Sequence, residues 1–238
     1  MSNTSLLLFF SLLPVILILV TIYSIDKNKE PLILLLVCFV LGIFLCFAVV
    51  EISKLLGNIL PFMNKNTDNL TFFELFLYSF IGIAAIEELC KWIVSFLIGY
   101  HNKEFDEIYD IIVYAVFVSL GFALFENIIY VFSIGEIKVA MLRAILAIPA
   151  HACYAISMGY YLSKAKKCQV EKNKLNEIKY ILISILVPIL IHGIYDFCIM
   201  SKISILIEVF VIFIITLDIV SIVKIKKMVK NNEKINIL

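Results

Sequence analysis

Residues 6–25 read LLLFFSLLPVILILVTIYSI, a run without charge and long enough to cross a ~30 Å hydrocarbon layer as a helix. Six more apolar runs follow at 31–52, 70–100, 108–133, 139–162, 180–200 and 203–223. Lipid offers no partner for an open backbone N–H or C=O, so each run is read as helical. The predicted fold is all-α: one polytopic membrane bundle over 1–238 with about seven transmembrane helices. Its core is expected at about 70–200, with 6–25, 31–52 and 203–223 as peripheral spans. Composition agrees, since 63% hydrophobic residues, 16% charged residues and a mean hydropathy of +1.05 exceed what a soluble domain carries. The first run has no basic residue before it, is too long for a signal sequence and lacks a small-x-small cleavage site. It is expected to stay as a span. The third run is too long for a straight perpendicular crossing, so part of it should tilt or lie at the interface.

Basic residues test the topology independently of hydropathy. Counted over alternate loops beginning with 26–30, one side holds 14 lysines and the other only Lys54, Lys65, Lys138 and Lys202. This asymmetry predicts a cytoplasmic carboxyl tail and an outside amino terminus, in a multi-pass plasma-membrane protein. The loop SKAKKCQVEKNK and the basic tail are read as solvated cytoplasmic segments, with the bilayer and not a nucleic acid as the surrounding partner. The six cysteines lie mostly in apolar runs without a CxxC pair and are read as packing residues.

Against this background the third run is anomalous. It contains Glu87, Glu88 and Lys91, which together cost roughly 7.5–10.5 kcal/mol to place at mid-membrane. Its 15 Leu, Ile, Phe and Val residues between Phe72 and Ile98 return only about 4.5–9 kcal/mol. The helix therefore needs polar partners on its neighbours. Spacing supplies one remedy, because Lys91 is four residues from Glu87 and three from Glu88 and can reach either. One glutamate is then left over, as a candidate for proton transfer or as part of a buried ion-pair lock.

Partners are present in the next three runs. His192 and Asp196 stand four apart in HGIYD, so the carboxylate can fix the imidazole tautomer. Glu126 and Asn127 lie in FALFEN, with Phe122 and Tyr130 one turn to either side of Glu126. Arg143 precedes His151 by eight residues; it is expected to snorkel to the outer surface. At ~1.5 Å per residue, His192 lies about 12 Å below the outer end of its span, Glu126 about 10 Å, His151 about 18 Å and Glu87 roughly 16–22 Å. Four helices can thus converge on one polar pocket.

The set EELCK, FALFEN, Arg143 with His151, and HGIYD resembles the PrsW family of intramembrane proteases, distant relatives of the CAAX prenyl protease and bacteriocin-processing group. The resemblance covers about 75–200. It implies an endopeptidase of the bacterial plasma membrane that makes the extracytoplasmic-side cut in a single-pass anti-sigma factor. The functional residues it implies are Glu87, Glu88, Lys91, Glu126, Asn127, His151, His192 and Asp196.

The expected chemistry uses whichever of Glu87 and Glu88 is not neutralised by Lys91 as general base on a water. Asn127 and one histidine would stabilise the oxyanion, and the histidine held by Asp196 would protonate the leaving amine. No cofactor is favoured; the alternative is a zinc ion on Glu126, His151 and His192. Two other classes fit the same residues: a proton-coupled transporter or channel, and a non-catalytic immunity or scaffold protein.

Overall fold

The need to close every backbone polar group in lipid yields an all-helical architecture, 87% helix and with no strand among the described residues. The computed structural model describes residues 2–102, 105 and 107–230; Lys103 and Lys234 of the charge asymmetry lie outside the described residues. The helices are α1 (Asn3–Ile25), α2 (Leu32–Gly57), α3 (Phe72–Leu77), α4 (Ile86–Val94), α5 (Asp110–Ile134), α6 (Ile137–Ile145), α7 (Ala147–Val170), α8 (Lys174–Met200) and α9 (Ser204–Lys230).

Six helical stretches among the described residues are long and apolar enough to cross a membrane, with Ile137–Val170 counted as one. The predicted third span is a continuous helical rod over 72–100, but it alternates in winding. α3 passes into a π-helical stretch at Tyr78–Ala85, α4 follows, and a second π-helical stretch covers Ser95–Tyr100. No single segment of it reaches spanning length. The rod starts where Thr71 and Glu74 form a reciprocal capping box, which satisfies two orphan N–H groups.

Several boundaries differ from expectation; α8 starts at Lys174 and α9 runs to Lys230, outside the predicted 180–200 and 203–223. The predicted span 139–162 is broken at Leu146 and then continues to Val170. The basic segment read as a solvated loop is therefore mostly helix, and Lys166 within it is buried with its ammonium donating to the Tyr100 carbonyl. Long aliphatic stems let lysines continue a helix beyond its apolar stretch.

α5 is the central helix, with 83% of its apolar window buried, against 22% for α1, α2 and α9, whose outer faces are left to lipid. α2 lies almost backbone to backbone on α5. A Cβ at Gly42 would fall 2.0 Å from the Val118 carbonyl oxygen, and one at Gly121 would fall 2.0 Å from that of Phe39. Only glycine permits this approach. On its other side α5 packs against α7; α8 then closes over α7 and the Tyr78–Ala85 stretch, and Trp92 donates to Ser184 Oγ at 2.8 Å. The α4 segment is thereby held against α2, α5 and α8.

Candidate active site

α4 turns Glu87, Glu88 and Lys91 inward together, and all three are buried. An ammonium has three N–H donors and no acceptor, and here each donor has a taker. Lys91 Nζ lies 3.1 Å from Glu87 Oε2, 2.8 Å from Glu88 Oε1 and 3.1 Å from His151 Nδ1. The Phe122 ring stands 4.1 Å from the same nitrogen and adds a cation–π contact. Lys91 thus reaches both glutamates, where spacing alone promised either.

The network extends in two directions from this tripod. Because Lys91 can only donate, His151 Nδ1 accepts, and His151 Nε2 carries the proton donated to Glu126 Oε2 at 3.1 Å. Glu126 also receives Arg143 Nη2 at 2.9 Å, while Arg143 Nε donates to Asn127 Oδ1 at 2.7 Å and the guanidinium lies over the Tyr130 ring. In the other direction His192 Nδ1 is 2.9 Å from Glu88 Oε1, and its Nε2 is 3.3 Å from Asp196 Oδ2. The His192 ring stacks on Tyr154, with centroids 4.7 Å apart. All eight predicted residues from α4, α5, α7 and α8 therefore belong to one connected cluster, joined by Arg143 from α6.

A cavity of about 610 Å³ opens onto this cluster. Its polar wall is formed by Glu87, Glu126, Arg143, His151, His192 and Asp196, and its apolar wall includes Ile83, Leu142, Ile199 and Phe210. Contact with Lys91 does not separate the two glutamates, since both have it. Position does: the Glu87 side chain is 11% exposed and lines the cavity, whereas Glu88 is 1% exposed and stands behind it. Asn127 is likewise fully buried, with Oδ1 taken by Arg143 and Nδ2 lacking a partner, so it meets the cavity only through the arginine.

Arg143 differs from expectation. It is turned inward as part of the wall, because Glu126 and Asn127 together offer a planar guanidinium better partners than the membrane surface does. Tyr154 was not singled out in the sequence, although its position three residues after His151 puts it on the same helical face.

Whether a divalent metal fits can be read from the donors. Glu87, Glu88 and His192 place one donor atom each within 4.8 Å of one another, and Glu88 Oε2 is buried without a hydrogen-bond partner. The four carboxylates of the cluster also outnumber its two permanent cations, Lys91 and Arg143. The residues fit. The trio Glu126, His151 and His192 is not among the groups of that compactness within the described residues.

Fold and site together define a multi-pass membrane protein with a pocket of acids, imidazoles and an arginine enclosed by its helices. Residues 30–223 match a family described as PrsW family intramembrane metalloprotease. A Protease PrsW of Clostridioides difficile (strain 630) is 33% identical over 233 residues, covering 96% of this chain and 94% of the relative. The Protease PrsW of Oceanobacillus iheyensis is 39% identical over 77% of this chain and 78% of its own, and that of Bacillus subtilis (strain 168) is 36% identical over 71% of each. No solved structure matches. The chain belongs to the PrsW family and is an intramembrane protease. The match reaches beyond 75–200, taking in α2 and most of α9. Membership also decides against the transporter reading.

Proposed function

We propose that the protein cuts a single-pass anti-sigma factor on the extracytoplasmic side of the bacterial plasma membrane, with its own amino terminus outside and its carboxyl tail in the cytoplasm. The observation that carries this reading is that Glu87 faces a roomy cavity while Glu88 stands behind it, held by Lys91 and His192. Charged groups this deep are costly unless they work, and a cavity of this size accommodates a locally unwound peptide.

Glu87 acts as general base on a water lying in the cavity and is restored by passing that proton to His192, a ring nitrogen of which lies within 4.8 Å of its carboxylate. Arg143, in the wall, faces the carbonyl oxygen as charge develops there; Asn127 holds it in place. His192, with a carboxylate at each ring nitrogen, donates the proton that the departing amine needs. Lys91 fixes the spacing of Glu87, Glu88 and His151. A divalent metal would be held by Glu87, Glu88 and His192, and when bound it supplies Lewis-acid polarisation of the carbonyl and a more acidic water.

Co-expression with tagged single-pass anti-sigma factors tests the assignment. One defined fragment, present with the wild-type chain and absent with Glu87→Ala, is the expected result. Intact substrate in both strains would reject the anti-sigma assignment, and an unchanged fragment in the mutant would reject the catalytic one. Metal content of the purified chain, measured alongside cleavage with and without chelator, decides whether zinc tracks activity.

A further inference from the structure

At the opposite end of α7 and α9 the apolar sequence gives way to lysines: YLSKAKK follows the apolar stretch of α7, and KIKKMVK follows that of α9. Between them lies a second cavity of about 190 Å³, lined by Lys164, Lys167 and Lys227 with Tyr160 and Ser163, and with Ile108 and Met228 as its apolar flanks. No carboxylate among the described residues lines it. Lys164 lies 13 residues beyond His151 on the same helix, or ~20 Å along its axis, so this is not the protease pocket.

Beside it a further lysine, Lys224, is gathered with Lys164 against their mutual repulsion. Lys164 Nζ and Lys224 Nζ sit over the same two rings, at 4.6 and 5.3 Å from the Tyr160 centroid and 5.6 and 5.4 Å from that of Tyr161. Tyr180 adds a third ring beside Lys164, and Lys224 donates to Ser157 Oγ at 3.1 Å. Neither Lys164 nor Lys227 has a carboxylate partner among the described residues. Aromatic faces hold an ammonium in position while leaving its N–H donors available to an anion.

We propose that this cavity binds the phosphate of an anionic phospholipid. The location argues for lipid over soluble phosphate, because the lysines stand where both helices leave their apolar stretches and the flanks are apolar. Basic pockets between helices at this depth suit a charged headgroup above acyl chains.

The test uses the full-length chain reconstituted in nanodiscs of phosphatidylglycerol and phosphatidylcholine, with the phosphatidylglycerol that remains after detergent re-extraction counted. Wild type should retain it in preference to phosphatidylcholine. Each of Lys164→Gln and Lys227→Gln should lower that enrichment about fivefold at low salt, with a weaker effect at high salt. Lys202→Gln, at an exposed lysine paired with Asp68 elsewhere, should leave it unchanged. Thermal unfolding checks that each variant is folded; Lys227 is exposed, so its variant keeps the test valid if Lys164→Gln unfolds. Equal retention of both lipids, or equal loss with Lys202→Gln, overturns the proposal. Thermal protection by millimolar inorganic phosphate with no headgroup preference would assign the cavity to a soluble ligand and overturn the lipid.

Discussion

The two ends of α5 both bury carboxylates, yet they differ in what surrounds them. At one end Asp110 joins Asp26 and Glu30, with donor atoms within 4.8 Å of one another. Tyr114 donates its hydroxyl to Glu30, Tyr109 donates to the Ile22 carbonyl at 3.2 Å, and Lys29 caps the last carbonyls of α1. At the other end Glu126 meets Arg143, His151 and, through the histidine, Lys91, beside a cavity of about 610 Å³. The first cluster ties helix ends together and holds no imidazole. The second pairs acids with imidazoles next to open space. Buried acid by itself therefore marks no active site; acid, base and room in one place do.

The largest effect that separates the two ends should come from Glu87→Ala, which is expected to lower cleavage by about 10²–10⁴-fold. Fragment yield from a tagged substrate measures it, and near-wild-type yield would erase the contrast. Arg143→Ala should follow with a loss of about 10²–10³-fold. Asn127→Ala should do less, because Asn127 works through the arginine; if the asparagine variant is the worse of the two in single-turnover cleavage, their order is reversed. The middle of α5 can be tested through its contact with α2. Gly42→Val places side-chain atoms against the Val118 carbonyl and should cost about 1–3 kcal/mol. That is a fall of roughly 2–12 °C in thermal midpoint in detergent.

The smallest effect belongs to the acidic end. Burial raises the Asp26 carboxyl above its ordinary range, with the hydrogen bond from the Asn28 backbone and the charge of Lys29 opposing and that of Glu107 reinforcing it. A raised acid binds its proton more tightly folded than unfolded, so stability is fully present at low pH and is lost as pH rises through the folded value. Asp26→Asn should therefore raise the thermal midpoint slightly at pH 7, and the gain should vanish as pH falls into the ordinary carboxylate range. A gain independent of pH would show that the charge is not responsible.

Much of this was legible in the chain. Apolar runs of membrane length fix helices because lipid leaves the backbone no other choice, and i,i+3 and i,i+4 spacings placed Lys91 with its glutamates and His192 with Asp196. What spacing could not supply was direction around each helix relative to its neighbours. Arg143 looked like a surface anchor because nothing in its own run pairs with it; its partners, Glu126 and Asn127, lie on a different helix. Glu87 and Glu88 are adjacent in sequence and share Lys91, yet Glu87 lines the cavity while Glu88 stands behind it on His192. The break at Leu146 has a local mark in Pro149, in the first turn of α7, and each π-helical stretch holds one glycine, Gly82 and Gly99, but none forms the turn dipeptide that would fix a break from sequence alone.

Those π-helical stretches bracket α4, which carries Glu87, Glu88 and Lys91, on both sides. Wide turns of this kind behave as single inserted residues in an otherwise regular helix. Glu87 therefore owes its bearing to a local miscount: excising one residue from Tyr78–Ala85 would restore ordinary winding there and swing everything downstream by about 100°. The glutamates would then turn away from His151 and His192 with every residue type around the pocket unchanged, which makes winding phase, as much as composition, a determinant of this site.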